Sequence, residues 1–303
     1  MMFSSPMVRN RLTLGILGAA AVFGGGGIAF ASIIPANAIS TTTSTNWAGY
    51  ADVATSASQS FSSVSGEWII PTVSSTSSFG SGSYSAFWVG LDGYSSSTVE
   101  QIGIGADVSG GRTQYYAWYE MYPSGAYEIP LSVAPGNAIS ASVSYGGNNQ
   151  YDLTISDLST AKSYSTIQDS SAGQRSSAEW IAEAPSSNNG VLPLANFGKV
   201  TFSDASATMD GATGSISSFS AVAIDLVASS GLNATTSTLN STGTSFSVTT
   251  SSPVTVRTPL PRPQRWQRWR RGTLDTSSVP EPSALALFAL GGLALASRKI
   301  RRV

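Results

Sequence analysis

One pattern fills the chain from residue 44 to residue 250: apolar and polar side chains alternate over short stretches, which Ser-, Gly- and Asn-rich turns separate. Alternation with a period of two is typical of strands with one buried face, and no stretch shows a sustained helical period with caps. Many short strands at this spacing predict an all-β fold, an antiparallel two-sheet β-sandwich around one core. The clearest stretches are 60–71, 86–92, 114–122, 138–145, 151–157, 177–183, 199–202 and 221–226.

A hairpin turn is predicted inside this pattern. The segment 146–149 reads Gly-Gly-Asn-Asn and lies between the stretches 138–145 and 151–157. Gly and Asn tolerate the left-handed backbone that two-residue hairpin turns require. We therefore expect these two stretches to be neighbouring antiparallel strands.

The chain of 303 residues contains no Cys and no His. The lack of Cys excludes disulfides and thiol nucleophiles, and the lack of His excludes Ser-His-Asp and Cys-His catalytic arrangements. It also argues against an ordinary zinc site, so we expect neither a metal nor another cofactor. Hydrolytic chemistry in this chain would have to use carboxyl, hydroxyl, amine or amide groups.

Charge is distributed unevenly along the chain. Residues 46–250 hold four basic and fifteen acidic residues, a net charge of −11, and the other twelve basic residues lie in the two ends. An acidic body binds nucleic acid poorly, so no nucleic-acid partner is expected. It fits work at acidic pH, where protonation of carboxyl groups reduces self-repulsion.

The N-terminal end, residues 1–38, has the features of a secretory signal peptide. Arg9 and Arg11 precede an apolar run at 12–31, and two small-x-small cleavage sites follow. An uncleaved membrane anchor is the alternative. Residues 39–250 are the predicted folded domain, called the body below.

The C-terminal end has two parts. Residues 251–278 are basic and Pro-rich and predict an unfolded linker, although their interleaved Trp and Arg would also suit a membrane surface or a polyanion. Residues 279–303 begin with Val-Pro-Glu-Pro, continue with an apolar run at 284–296 and end in a basic cluster at 298–302. This order resembles the PEP-CTERM sorting signals. The resemblance implies export, a transmembrane tether through the tail, processing by an exosortase-type enzyme, and then a cell-surface or extracellular location.

Strand periodicity gathers aromatic and acidic side chains on single faces. Tyr116, Trp118, Glu120 and Tyr122 share one face of the stretch 114–122. Such a combination is unusual both for a core and for a solvated surface, so it predicts a cleft that stacks on a substrate and performs acid–base chemistry. The same periodicity pairs Trp88 with Asp92, and Glu179 with Glu183.

Seven motifs occur in the order found in the glutamic peptidases, the eqolisin family, and the chain resembles that family over about residues 46–227. Each motif alone is short, but their shared order is specific. They are NWAG (46–49), VSGEWIIP (64–71), WVGLDG (88–93), EQIG (100–103), AWYEMYP (117–123), AEWI (178–181) and FGKVTF (197–202).

The resemblance implies an activity, a fold and a set of site residues. The family's catalytic pair falls on Gln101 and Glu179: the Glu acts as general base, and the Gln amide orients water and stabilises the oxyanion, without a covalent intermediate. An acid-acting endopeptidase with protein or peptide substrates follows, on a concanavalin A-like (lectin-like) jelly roll, and we expect a monomer. Glu183 is interpreted as structural or exposed. Substrate-contacting positions fall on Trp47, Trp88, Asp92, Trp118, Glu120 and Tyr122.

One position departs from the family. Its fungal members carry an Asp four residues after the catalytic Gln, where this chain has Gly105, and the nearest acid is Asp107. Either Asp107 takes that role through a local bulge, or the contact is absent.

Two other functions fit part of the pattern. A two-carboxylate glycoside hydrolase would use the Glu179 and Glu183 pair, although Ile181 stands where such enzymes can carry an Asp. A non-catalytic carbohydrate- or matrix-binding surface protein would need only the aromatic faces.

Overall fold

The computed structural model describes residues 39–76, 82–229 and 231–251. The predicted signal segment, the sorting tail and all of the linker beyond Ser251 lie outside the described residues. Within the described ranges, no helix is long and apolar enough to cross a membrane.

The described residues form strands joined by turns, with one 3₁₀ turn at Ile216–Ser218. This is the all-β architecture that the alternating pattern predicts. The strands are β1 (Ser40–Ser44), β2 (Trp47–Val53), β3 (Phe61–Ile69), β4 (Ser83–Leu91), β5 (Val99–Ser109), β6 (Arg112–Tyr122), β7 (Tyr127–Ile129), β8 (Ala138–Gly147), β9 (Gln150–Asp157), β10 (Lys162–Asp169), β11 (Ser177–Glu183), β12 (Ser186–Ser187), β13 (Gly190–Val191), β14 (Lys199–Met209), β15 (Ala212–Gly214), β16 (Ala221–Leu226), β17 (Asn233–Thr236) and β18 (Phe246–Ser251).

Fourteen of the described strands follow one continuous hydrogen-bonded path, β10-β9-β8-β3-β14-β18-β17-β16-β2-β11-β4-β5-β6-β7. β15 pairs with β14 beside this path, and β12 and β13 form a separate two-stranded sheet. Neighbours on this path are antiparallel, whereas β1 adds to β16 in parallel. The two halves pack face to face, with β3 against β4 and β11, and β5 against β8 and β9. The indole Nε1 of Trp180 on β11 crosses this interface and donates to the carbonyl oxygen of Ser65 on β3 at 2.7 Å. The predicted all-β, antiparallel sandwich is thereby confirmed, while the jelly-roll connectivity stays a prediction.

Large aromatic side chains fill the space between the two layers. Phe61, Trp68, Phe87 and Phe202 are all at most 2% exposed, as the alternation of their strands predicts. Burial of such a side chain contributes roughly 1.5–3 kcal/mol each, which lets the body form a core without disulfides.

The predicted hairpin is present as β8 and β9. Asn148 and Asn149, at its tip, have φ of 52° and 62°. Both residues therefore adopt the left-handed backbone of a two-residue turn, for which Asn is well suited.

Two sets of strands carry the candidate site. β4, β5 and β6 follow each other in sequence and pair as two successive hairpins. β11 comes from much later in the chain and inserts between β2 and β4. As a result, a residue near position 180 can share a sheet face with residues near positions 90, 100 and 120.

Candidate active site

A cleft of about 430 Å³ lies on the face of β4, β5, β6 and β11 that points away from the sandwich core. This volume is in the range of ligand-binding pockets. Five of the eight predicted site residues line it, together with Glu183, which was not predicted to belong to the site. The five are Trp47, Gln101, Trp118, Glu120 and Tyr122.

Gln101 lies on the floor of the cleft in β5 and is 5% exposed. Its Nε2 donates to Oε2 of Glu120 at 2.7 Å, because the two residues are directly opposite each other in the β5–β6 ladder. A primary amide has two N–H donors, so one remains for another acceptor. Its Oε1 has no hydrogen-bond partner among the described residues.

Glu183, the last residue of β11, is partly exposed at the cleft. Its carboxylate accepts a hydrogen bond from Nε1 of Trp88 at 2.8 Å and another from Nδ2 of Asn46 at 3.1 Å. Burial raises the pKa of Glu183 to about 7; the indole and amide donors lower it, and the charge of Glu120 raises it further. Glu183 can therefore change its protonation state in the weakly acidic range.

Glu120 gives the cleft a second carboxyl group. Burial raises its pKa to about 7, against the lowering effect of the Gln101 amide. Two carboxyl groups that share a cleft and repel each other when both are ionised favour a state with one proton between them. One of the two carboxyl groups can then be ionised and accept a proton, while the other stays protonated and neutral.

Glu179 lies outside the cleft, although it is on the strand face that the sequence predicts it to share with Glu183. It is 0% exposed and does not line the cleft. Its carboxylate makes no well-formed hydrogen bond to the described residues, and its pKa is raised by burial and by the charges of Asp92 and Asp52. A carboxylate sealed in this way cannot exchange a proton with a substrate in the cleft.

Trp88 and Asp92 contribute indirectly rather than by lining the cleft. Trp88 is 0% exposed, holds Glu183 through its indole, and packs edge to face against Trp47 with ring centroids 5.0 Å apart. Asp92 is also 0% exposed, and its carboxylate accepts hydrogen bonds from the backbone N–H groups of Gln174, Arg175 and Ser176 at 2.6–2.8 Å. The predicted substrate contact of Asp92 is thus replaced by an anchor for the segment that leads into β11.

Replacing Asp92 by Ala is expected to lower the free energy of unfolding by roughly 3–5 kcal/mol, because three backbone N–H groups lose a buried, charged acceptor. Chemical denaturation at acidic pH would measure the change. Asp152→Asn, an exposed substitution on β9, is the matched control and should change the free energy by less than about 0.5 kcal/mol. Equal stabilities of the two variants would contradict the anchoring role.

Gly105 has no bulge beside it. The β5–β6 register runs without a shift from Val99 to Ser109, so Asp107 stays two residues beyond Gly105 on the same face. The ring of Tyr116 occupies the space that a side chain at Gly105 would need, and its hydroxyl donates to Oδ2 of Asp107 at 3.2 Å. Of the two alternatives, the bulge is wrong, and Asp107 instead holds a tyrosine.

Sequence patterns could have indicated Glu183 as a candidate, but they could not have shown that it, rather than Glu179, lines the cleft. Glu183 shares its face with Glu179, and it is the last residue of β11, two positions before Pro185. Period-two alternation identifies the shared face but gives no information about which part of it other segments cover.

Comparison with known proteins identifies a family and a sorting motif. Residues 45–251 match the Peptidase A4 family, and residues 278–302 match the PEP-CTERM protein-sorting motif. The chain is 32% identical over 191 residues to aspergillopepsin-2 of Aspergillus niger, covering 56% of this chain and 66%, just under two thirds, of that relative.

Two solved structures share the fold. Scytalido-glutamic peptidase, crystallised with a transition state analog inhibitor, superposes with a TM-score of 0.57 at 27% identity, covering 68% of this chain and 98% of that one. Aspergilloglutamic peptidase from Aspergillus niger gives a TM-score of 0.50 at 29% identity, covering 55% of this chain and 98% of that one.

Proposed function

The chain belongs to the Peptidase A4 family, and from this premise we propose that it is a glutamic endopeptidase in which Gln101 and Glu183 perform the reaction. One observation carries the proposal: the amide and the carboxylate line the same cleft, and each is held by its own hydrogen-bond partner. The sequence motifs suggested Glu179 for the carboxylate. We reassign the role because Glu179 is fully buried.

The reaction begins with water bound between the two groups. Ionised Glu183 takes a proton from the water as its oxygen attacks the scissile carbonyl carbon, and the free N–H of Gln101 donates to the developing oxyanion. The tetrahedral intermediate collapses as Glu183 returns the proton to the leaving amine. Atoms and charges balance without a covalent intermediate and without a cofactor.

Glu120 sets the direction of the Gln101 amide. Its Oε2 accepts from Nε2 of Gln101 at 2.7 Å, which prevents the amide from rotating away from the reacting carbonyl. Glu183 accepts hydrogen bonds from two donors, Trp88 and Asn46, and these favour its ionised form. Because burial raises the pKa of Glu183 to about 7, its ionised fraction, and with it the proposed activity, increases as the pH rises toward 7.

Aromatic side chains supply the surface for a peptide. Trp47, Trp118 and Tyr122 line the cleft around the catalytic pair, and Tyr122 is 50% exposed at its rim. Such surfaces bind extended chains through apolar contact, which supports protein or peptide substrates. The glycosidase alternative would need Glu179 to reach a sugar, which its burial opposes.

The sorting motif supports the finer proposals on location. A PEP-CTERM match at residues 278–302 suggests export and a membrane-anchored tail that an exosortase-type enzyme processes. The monomeric state and the absence of a nucleic-acid partner stay predictions.

Replacing Gln101 by Ala is expected to lower kcat/KM for casein hydrolysis by roughly 10²–10³-fold, the usual effect of losing one oxyanion donor. The assay uses the purified full chain between about pH 4 and 7. Gln168→Ala on β10, at the far end of the sheet path, is the matched control and should retain full activity. Full activity of Gln101→Ala, or no proteolysis by the unmodified protein, would contradict the proposed function.

A further inference from the structure

The segment between β1 and β2 holds one side of Glu183, the carboxylate that is proposed as the base. Nδ2 of Asn46, in this segment, donates to Oε1 of Glu183 at 3.1 Å, while Nε1 of Trp88 donates to Oε2 at 2.8 Å. Each carboxylate oxygen therefore has its own donor, and the two donors together fix the plane of the group. A carboxylate oxygen has two lone pairs, so each oxygen can still accept from a water molecule in the cleft.

Ser44, the last residue of β1, determines which way the Asn46 amide points. Its Oγ accepts hydrogen bonds from the backbone N–H groups of Asn46 at 3.3 Å and Trp47 at 3.1 Å. With its lone pairs used in this way, the hydroxyl donates its proton to Oδ1 of Asn46 at 3.1 Å. An amide turned by half a rotation would place Oδ1 against Glu183, where two acceptors would face each other. The Ser44 hydroxyl therefore keeps the donor end of the amide on the carboxylate.

Backbone hydrogen bonds keep this arrangement in place. β1 pairs in parallel with β16, and the carbonyl oxygen of Ser44 accepts from the N–H of Val227 at 2.8 Å. The carbonyl oxygen of Asn46 accepts from the N–H of Ala184, the residue after Glu183, also at 2.8 Å. Asn46 and Glu183 are thus connected through the backbone as well as through their side chains.

The titratable groups that face Glu183 come from β6. Burial raises the pKa of Glu183, the hydrogen bonds from Trp88 and Asn46 lower it, and the charge of Glu120 raises it. Tyr116 and Tyr122 are the other titratable side chains of β6 that line the cleft. β2, β3, β4 and β14 pack against β11, and these strands, which the structure describes in full, contribute no titratable side chain to the cleft. Glu179, on β11 itself, also lies outside it.

We propose that Ser44 and Asn46 are positioning residues for the general base: the Ser44 hydroxyl orients the Asn46 amide, and the amide holds the ionised Glu183 carboxylate toward the attacking water. The inference rests on the proposed function, since it takes Glu183 as the base. Asn46 lines the cleft but Ser44 does not, so Ser44 acts on the reaction only through Asn46. The first strand of the body thereby takes part in a site built on strands much further along the chain.

The first measurement of the test is the pKa of Glu183. The purified full chain contains seven Glu residues, so ¹³C NMR of protein labelled at the glutamate carboxyl carbon gives few signals, and Glu183→Gln identifies the signal of Glu183. Asn46→Ala should raise the pKa of Glu183 by roughly 1–2 pH units, because the ionised form loses a hydrogen-bond donor. Ser44→Ala should raise it by about 0.5–1 pH unit, because the amide stays but is no longer oriented.

The second measurement is peptide hydrolysis as a function of pH, with a fluorogenic peptide. Ser44→Ala should lower kcat by roughly 3–10-fold below the pKa of Glu183 and leave KM nearly unchanged, since the base is less ionised and Ser44 does not contact the substrate. Ser44→Thr, which keeps the hydroxyl, should retain the pKa and the pH profile. In the Asn46→Ala background, Ser44→Ala should cause no further change, because its effect passes through the amide.

Two substitutions outside the cleft are matched controls. Asn240→Ala removes a turn amide whose Oδ1 accepts from two backbone N–H groups. Ser237→Ala removes a hydroxyl that accepts from one backbone N–H and donates to a backbone carbonyl oxygen. Neither residue lines the cleft, so both variants should keep the pKa of Glu183 and kcat unchanged. Thermal unfolding at pH 4 checks that each variant is folded.

The outcomes separate this inference from the proposed function. A folded Ser44→Ala or Asn46→Ala protein with an unaltered Glu183 pKa and unaltered kinetics overturns the positioning role and leaves the peptidase assignment standing. Additive effects of the two substitutions do the same, because Ser44 would then not act through Asn46. If Asn46→Ala does not fold, Ser44→Ala and Ser44→Thr decide the question. No hydrolysis by the unmodified protein overturns the proposed function and, with it, this inference.

Discussion

Replacing Glu183 by Gln is expected to lower kcat/KM for peptide hydrolysis by roughly 10³–10⁴-fold, because an amide cannot take the proton from the attacking water. The substitution keeps the size of the side chain, and its amide oxygen can still accept from Trp88 or Asn46. Folding should therefore be preserved, and thermal unfolding at acidic pH would verify this. Single-turnover assays with a fluorogenic peptide would measure the loss.

Glu179→Gln is the matched control for this experiment. It makes the same chemical change on the same strand, four residues earlier, at a side chain that is 0% exposed. We expect it to keep the activity and to raise stability near pH 7, since a buried amide carries no cost of ionisation. A folded Glu179→Gln protein without activity, beside an active Glu183→Gln protein, would reverse the assignment.

Raising the pH from 4 to 7 is expected to destabilise the body by several kcal/mol. Burial raises the pKa of Glu100, Glu120 and Glu183 to about 7 and that of Asp107 to about 6. A carboxyl group whose pKa is higher in the folded state gives stability that is fully present below its unfolded pKa, near 4. That stability is lost as the pH rises through the folded pKa.

Glu100 allows this prediction to be tested at a single residue. It is 0% exposed, and its Oε1 accepts from the Ser170 hydroxyl at 2.7 Å. A pKa rise from 4.5 to about 7 corresponds to about 3 kcal/mol lost by neutral pH. Urea denaturation at pH 4 and pH 7 would measure it: Glu100→Gln should reduce the difference between the two pH values, whereas Asp152→Asn should not. Equal or greater stability of the unmodified protein at pH 7 would refute the prediction.

Activity and stability thus respond to pH in opposite ways. In the proposed mechanism Glu183 must lose its proton to act as a base, while ionisation of Glu100, Glu120 and Glu183, whose pKa values burial raises, weakens the fold. The weakly acidic range is where enough Glu183 is ionised and the body still holds together. The acidic composition of the body indicated this direction, and the buried carboxyl groups supply the physical cause.

Sequence patterns predicted more of the fold than of the chemistry. Alternation identified the strands, and the motif order brought Gln101, Trp118 and Glu120 to one cleft. The choice between Glu179 and Glu183 depended on which segments cover β11. Those segments are distant in sequence, and the alternation of side chains along one strand gives no information about them.

Asp92 shows a second limit of strand periodicity. β4 ends at Leu91, and Asp92 has a φ of 68°, so the backbone has already turned left-handed at this residue. Side chains no longer alternate after such a turn. The face that Asp92 was predicted to share with Trp88 therefore does not extend to it.

β11 is far in sequence from the strands that it joins, so the order in which the sheet assembles bears on activity. The Gln101 half of the site lies in hairpins of neighbouring strands, which close quickly, whereas Glu183 joins only after a contact between residues about 100 positions apart along the chain. Under the proposed mechanism, a chain in which β11 has not yet joined the sheet carries the amide without its base. We therefore expect catalytic competence to come late in folding, so that a newly made chain cleaves neither itself nor its neighbours until its sheet is complete.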